Sequence, residues 1–243
     1  MNTQSAITLF GLLLAAMPLF ADDTDDSAVR ALLAERLPGV IAENIRRSPV
    51  PGLYEVILGP RVLYVSGDGR YVLQGTVMDL AEQANITEPR RLVARAAWVN
   101  GMDESQMVVF EPTTPLRHTL TVFTDVDCGY CRQMHAEIDQ LLAAGIRVRY
   151  LLYSRGGPGT EAASKAEQVW CSEDQRAALT AAKQGRTVTA PACETPIMAN
   201  LLLGRELPVN GTPTMVSGRG DLIPGYLPPA MLVEELQRLS AAR

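Results

Sequence analysis

Two cysteines separated by two residues, Cys128-Gly129-Tyr130-Cys131, lie between a strand-like run and a helix-like run. Leu120–Asp125 before them is short, apolar and β-prone, the pattern of a buried strand. From Cys131 onward, Met134, Ile138, Leu141 and Leu142 recur at helical spacing, and Gly145 ends the segment. The following run, Ile146–Leu152, is again strand-like. A strand, a crossover helix of this length and a second strand form a parallel βαβ unit. The two cysteines therefore open the crossover helix, and few folds accept a reactive pair at that point.

The placement has chemical consequences. Only a thiolate attacks a disulfide, and an ordinary cysteine is mostly protonated at neutral pH. A helix N-terminus carries roughly half a positive charge and unsatisfied backbone N–H groups. Cys128 is thus expected to be the nucleophile. Cys131, a turn deeper and less exposed, is expected to be the resolving thiol that releases a mixed disulfide. Gly129 keeps the approach to Cys128 open, and Tyr130 adds an apolar face for an unfolded client. A zinc site would need a second close pair of ligands, and the other two cysteines, Cys171 and Cys193, are far apart in the chain. A passive staple would be oddly placed at a strand-to-helix junction. No metal and no cofactor are expected.

The start of the chain bears on how the cysteines are read. Residues 1–21 hold an apolar stretch, Ala6 to Leu19, that is short of the roughly 20 residues of a transmembrane helix. It ends near Pro18 and Ala21 and is followed by the acidic run Asp22–Asp26. This reads as a secretory signal peptide cut near Ala21. It lacks a Lys or Arg ahead of the apolar stretch and has Leu19 at the −3 position, so an uncleaved anchor or a misplaced start codon competes. After export, four cysteines suggest disulfides, and four allow three pairings. The obvious partition is the close pair Cys128/Cys131 and the distant pair Cys171/Cys193. The net charge of −5 gives no reason to expect nucleic acid as a partner.

The first half has no cysteine. Ser27 is placed to cap a helix through about Leu37, which Pro38-Gly39 stops. Leu53–Leu58, Arg61–Ser66 and Tyr71–Met78 read as an antiparallel meander with turns at Gly59-Pro60 and Gly67-Asp68-Gly69. One helix on so small a sheet buries little area and leaves open edges, and both shortages are relieved by a second copy of the chain. Thr87 opens a helix ending at Asn100-Gly101, read as a connector. In the second half, Thr160 to about Leu203 is alanine-rich and helical. Thr214–Val216 and Asp221–Ile223 form an antiparallel hairpin, and Pro228–Leu239 closes the chain as an amphipathic helix.

FTDVDCGYC, the later GTPTMV and the closing IPGYLPP resemble the DsbC group of periplasmic disulfide isomerases. The resemblance covers most of the chain, including PVPGLYEVILGPRVLYVSGDGRYVLQG, which is similar to that group's dimerisation domain. It implies a fold of mixed α+β and α/β class. A signal peptide (1–21) precedes a small cystatin-like N-terminal dimerisation domain of antiparallel sheet and helix (22–79). A linker helix (80–101) leads to a thioredoxin-like catalytic domain with a helical insertion (102–243). Thr212-Pro213 then matches the cis-proline loop that faces the reactive cysteines and binds client backbone. Cys171 and Cys193 match a second, structural disulfide. The implied activity is rearrangement of wrong disulfides in exported proteins, with a homodimer, misoxidised clients and a DsbD-type membrane reductase as partners. A DsbA-like oxidase, a DsbG-like reductase of oxidised cysteines and a dimeric chaperone are the alternatives.

Departures are also visible. Arg132 stands where the group often has His or Lys, and is expected to keep positive charge near Cys128. His135 is expected on the helix surface, and His118 has no assigned role. Thioredoxins carry a buried carboxylate six positions ahead of the first cysteine, where this chain has Val122. Asp125 and Asp127 are nearer, Asp127 facing solvent. No proton acceptor for Cys131 can be named from the sequence.

Overall fold

The first elements of the chain build a four-stranded sheet against one helix. The structure is a computed structural model and describes residues 23–241. The expected signal peptide, residues 1–21, lies outside the described residues. Helix α1 spans Asp23–Arg36. It begins a turn earlier than expected, with Ser27 inside it rather than at its cap. Asp26 is held by Arg30 at 2.6 Å and Arg47 at 2.9 Å.

Strands β1 (Ile45–Arg47), β2 (Leu53–Leu58), β3 (Arg61–Ser66) and β4 (Val72–Leu73) pair antiparallel in that order. The side chains of Leu33, Ile45, Val56 and Val65 form the core between helix and sheet. The third strand of the expected meander is much shorter than Tyr71–Met78, and it is the sheet's edge. Tyr71, Val72 and Leu73 stand exposed there, and Met78 and Leu80 are exposed just beyond it. A separate small ribbon, β5 (Met78–Asp79) with β6 (Ala84–Asn85), follows.

Helix α2 (Glu88–Asn100) docks on both halves of the chain. Ala94 packs on Val62 and Tyr64, and Val99 packs with Phe123, Leu151 and Val216. Thr87 does not cap the helix through its side chain. Its hydroxyl instead meets Tyr64 Oη at 2.6 Å and accepts the Val77 N–H at 2.8 Å, while Asn85 Oδ1 accepts the N–H groups of Thr87 and Glu88. At the far end Arg95 Nε donates to Gly220 O at 2.6 Å and Asn100 Nδ2 to Gly218 O at 2.7 Å. Gly220 has φ +89°, and a Cβ there would stand 2.1 Å from Leu92 O, so no other residue lets the helix approach so closely.

The second sheet has five strands in the order β11-β10-β8-β9-β7. These are β7 (Val108–Phe110), β8 (His118–Thr124), β9 (Ile146–Leu152), β10 (Thr214–Ser217) and β11 (Leu222–Pro224). Only β8 and β9 run parallel, with Leu120 opposite Val148 and Thr124 opposite Leu152. Both are nearly continuous buried runs, as strands covered on two faces must be. The crossover between them is two helices, α3 (Gly129–Ala136) and α4 (Ile138–Ala143), broken at Glu137. Glu137 leaves helical geometry (φ −105°, ψ 13°), and its carboxylate accepts Tyr226 Oη at 2.6 Å. The alanine-rich segment supplies α5 (Glu161–Trp170), α6 (Gln175–Lys183) and α7 (Ile197–Glu206), and α8 (Pro229–Ala241) closes the chain. No helix among the described residues is long and apolar enough to cross a membrane.

Cys171, just after α5, is joined to Cys193, which lies before α7, across a sequence separation of 22. Closing a loop of that length removes unfolded-chain entropy worth about 3 kcal/mol. The double variant Cys171→Ala, Cys193→Ala is expected to lose about that much unfolding free energy, read by denaturant titration of the otherwise intact chain. A loss below about 1 kcal/mol would mean that packing alone holds the insertion.

Candidate functional site

Cys128 is the residue that precedes the first turn of α3, with extended backbone (φ −76°, ψ 123°). Its carbonyl accepts the Arg132 N–H at 2.9 Å, so its sulfur sits beside the free N–H groups of the helix start. Sheet register supplies the second wall. β10 runs antiparallel to β8 with Thr214 opposite Phe123. The residues ahead of Thr214 are thereby carried alongside the residues that follow β8. Those residues are Thr212 and Pro213, joined by a cis peptide bond. Cys128 Sγ donates to Thr212 O at 3.1 Å. The structure thus brings Cys128, Cys131, Thr212 and Pro213 into one site.

Both cysteines are free thiols. Cys131 is 1% exposed and Cys128 only 3%, so the first cysteine is more covered than its helix-start position suggests. The cover is the cis-proline loop. Gly129 and Tyr130 are exposed, Tyr130 by 65%, and a side chain at Gly129 would meet nothing. Tyr130 stacks on Tyr226 with ring centroids 6.4 Å apart, forming an aromatic ledge beside the site.

The two thiols are driven in opposite directions. Burial pushes the Cys128 thiol up, but hydrogen bonding from Thr212 and from the backbone and thiol of Cys131, with the charge of Arg155, brings it below the ordinary thiol value. The Thr212 hydroxyl is buried without a hydrogen-bond partner in the dithiol, and a Cys128 thiolate would give it one. For Cys131 burial wins and the thiol is pushed up, despite the opposing pull of Lys183, the Asp125 backbone and the Thr124 hydroxyl.

Several expectations are corrected. Arg132 does not reserve its charge for Cys128. It donates to Val126 O at 2.9 Å and pairs with Asp127 at 2.6 Å. The cation that favours the Cys128 thiolate is Arg155, whose Nε lies 3.2 Å from the buried Asp125 carboxylate. His135 is not a surface residue. It is 3% exposed and bridges Tyr150 Oη (3.2 Å) and Thr180 Oγ1 (3.0 Å), and burial pushes it down to about 4. It packs inward because α3 and α6 sandwich its face against β9. Asp127 is partly exposed and also meets Lys165 at 3.1 Å.

Lys183, the last residue of α6, escaped the sequence reading. It is 4% exposed, and its Nζ donates to Thr124 Oγ1 and to Asp125 O, both at 2.7 Å. A signal existed: Lys183 follows Leu179 by four residues and so shares the apolar face of α6 with Leu179 and Ala182. Arg155 had no comparable signal, because it lies in a loop whose path the sequence does not specify.

Residues 20–88 match the family described as disulfide bond isomerase protein N-terminal domain, and residues 105–240 the thioredoxin-like domain. Over 224 residues the chain is 34% identical to the thiol:disulfide interchange protein DsbC of Escherichia coli K12, covering 92% of each chain. It is 34% identical to the protein of the same name from Dickeya dadantii over 239 residues, 98% of each. A crystal structure of a disulfide interchange protein from Neisseria gonorrhoeae superposes with a TM-score of 0.50 at 26% identity, over 56% of this chain and 97% of that one.

Alkylation of the reduced chain across the neutral pH range, with the modified peptides read by mass spectrometry, tests the site's electrostatics. Because the Cys128 thiolate persists as pH falls, its modification midpoint is expected below the ordinary thiol value of about 8.5. Cys131 is expected to react only above that value. Equal midpoints would show that the helix start and the Thr212 loop do not separate the two thiols.

Proposed function

The chain belongs to the DsbC family of thiol:disulfide interchange proteins, and from that premise we propose that Cys128 is the nucleophile and Cys131 the resolving thiol of its disulfide isomerase chemistry. The observation that carries this reading is the opposed state of the two thiols: at a helix start and against the Thr212 loop, Cys128 favours thiolate while Cys131 holds its proton.

The Cys128 thiolate attacks one sulfur of a wrong client disulfide. A Cys128–client bond forms as the client's S–S bond breaks, and the electron pair leaves on the second client sulfur as a thiolate. That thiolate can attack another client disulfide and, through further exchange, displace Cys128, which completes isomerisation with no net electron transfer. If it does not, Cys131 attacks Cys128. The Cys128–Cys131 disulfide forms, the client leaves with two thiols, and the protein is oxidised by two electrons. An external dithiol must then reduce the pair, and a DsbD-type membrane reductase fits that need.

Gly129, Tyr130, Thr212 and Pro213 are the proposed client-binding residues. An extended client strand lies along the cis-proline loop, with its apolar groups on the ledge of Tyr130 and Tyr226. Since Thr212 O occupies the Cys128 sulfur, client backbone displaces that hydrogen bond as it enters. Cys171 and Cys193 are structural. The reading places the protein in the periplasm, where an oxidised Cys171–Cys193 pair and a reduced Cys128/Cys131 pair coexist only if the second is kept reduced by a dedicated donor. The domain limits proposed are 22–79, 80–101 and 102–243. The exposed edge at Tyr71–Leu73, with Met78 and Leu80, supports a homodimer, because a second copy would cover an apolar edge strand that otherwise invites aggregation.

The mature chain is expected to speed recovery of activity from a scrambled multi-disulfide protein in a mildly reducing thiol buffer, and Cys128→Ser to abolish the effect. Fast oxidation of reduced thiols without that recovery would overturn isomerisation in favour of an oxidase. Equal protection of clients from aggregation by a variant lacking both cysteines, with no recovery by wild type, would favour a chaperone. Sedimentation equilibrium is expected to give a dimer, with Val72→Glu shifting it to monomer.

A further inference from the structure

Lys183 poses a problem in electrostatics. Its ammonium is almost wholly enclosed, yet the two hydrogen bonds it makes go to neutral oxygens, Thr124 Oγ1 and Asp125 O. A buried charge is costly unless a counter-charge faces it. The Asp125 carboxylate does not meet that need, because it is turned toward the Asp127 N–H (2.8 Å), the Arg155 N–H (3.0 Å) and the Arg155 guanidinium (3.2 Å). Among the described residues no carboxylate lies within ion-pair distance of Lys183.

Cys131 has the complementary problem. Its sulfur is buried, it must become a thiolate to resolve a mixed disulfide, and Val122 stands where a carboxylate could have served as base. Thr124 and Asp125, which hold Lys183 Nζ, are also the residues whose hydroxyl and backbone favour a Cys131 thiolate. The titratable and charged groups facing Lys183 are Cys131, Asp125 and Cys128, which favour its charge, Arg132, which opposes it, and His135. His135 is neutral at neutral pH, so Cys131 and Cys128 are the groups beside Lys183 whose charge changes during turnover, and of the two Cys131 acts on it more strongly.

We propose that Lys183 is a positioning residue for the resolving step: its ammonium, fixed by Thr124 and Asp125, is the counter-charge that lets buried Cys131 act as a thiolate. The proposal rests on the reading of Cys131 as the resolving thiol. In the step itself Cys131 gives its proton to solvent and its thiolate attacks Cys128 of the mixed disulfide. The Cys128–Cys131 bond forms, the Cys128–client bond breaks, and the client sulfur leaves with the electron pair and takes up a proton from solvent. Once the disulfide has formed, Lys183 faces no thiolate. Burial already brings Lys183 down to about 8, so removal of its partner in that disulfide makes the ammonium still less favourable. A lysine reached from α6 thus does from the insertion what a strand carboxylate would do from β8.

Mixing the reduced full-length mature protein with dithionitrobenzoate in a stopped-flow instrument separates the two cysteines. Attack by Cys128 releases one thionitrobenzoate, and attack by Cys131 on the resulting mixed disulfide releases the second. In Lys183→Met the second phase is expected to slow about tenfold near neutral pH, with its pH midpoint displaced upward, since one pKa unit is a factor of ten in thiolate at pH well below the midpoint. The first phase is expected to change far less. An unchanged second phase and midpoint would overturn the proposal alone. A second phase that survives in Cys131→Ser would overturn the resolving-thiol reading and the proposal with it.

A measurement on the unaltered protein avoids any dependence on the variant's folding. The chain has two lysines, Lys165 and Lys183. In protein labelled with ¹³C-lysine the Cε signals titrate separately, Lys165 as a half-exposed ammonium whose pKa Glu161 and Asp127 push up. The Lys183 midpoint is expected to fall when Cys128 and Cys131 are oxidised to the disulfide. The same Lys183 midpoint in both redox states would overturn the coupling.

Discussion

β8 and β10 lie antiparallel with Thr214 opposite Phe123, and that pairing places the Thr212–Pro213 loop against the start of α3. The reactive pair depends on it. One strand delivers the cysteines to a helix N-terminus, and its neighbour returns a backbone carbonyl and a hydroxyl to the first sulfur. A one-residue slip would reverse which side chains of β10 face the core. Met215 and Val216 are fully buried in two different apolar clusters, so a slip would exchange side chains of different size between two packed faces.

Burial alone raises the pKa of both thiols. Their difference arises from what each sulfur touches. An ionised Cys128 is favoured by the Thr212 hydroxyl, by the backbone and thiol of Cys131, and by the charge of Arg155. Cys131 sits deeper, where desolvation outweighs the pull of Lys183, the Asp125 backbone and the hydroxyls of Thr124 and Thr212. This asymmetry suits the proposed roles of a thiol that attacks readily and a thiol that releases conditionally. A resolving thiol that ionised too easily would eject every client before its disulfides could rearrange.

The N-terminal sheet is coupled to this centre by α2. Arg95 and Asn100 reach backbone carbonyls of the β10–β11 turn, and Arg149 on β9 reaches back to Val99 O at 3.0 Å. The close approach at Gly220 makes these contacts possible. The helix is therefore packed against both sheets.

The order of elements, the position of Cys128 and Cys131 at a strand-to-helix junction, and the buried strands around them were legible in the chain, because local periodicity and turn residues encode them. Leu53–Leu58, Arg61–Ser66 and Ile146–Leu152 form as their patterns predict. The shortened β4, the break at Glu137 and β1 were not legible, since an edge and a helix break depend on neighbours remote in sequence. The same limit applies to the site. Periodicity placed Met134, Ile138 and Leu141 on the buried face of the crossover helix but could not show that α6 would cover His135. Nor could it show that Arg132 would be taken by Asp127, that Arg155 would replace it, or that Lys183 would reach under Cys131 from 52 positions away. Sequence by itself determined which residues carry the paired thiols and that Cys128 stands at the start of a helix. Tertiary structure alone decided which charges face each sulfur, because Coulomb energies and desolvation follow distance in space and not separation along the chain.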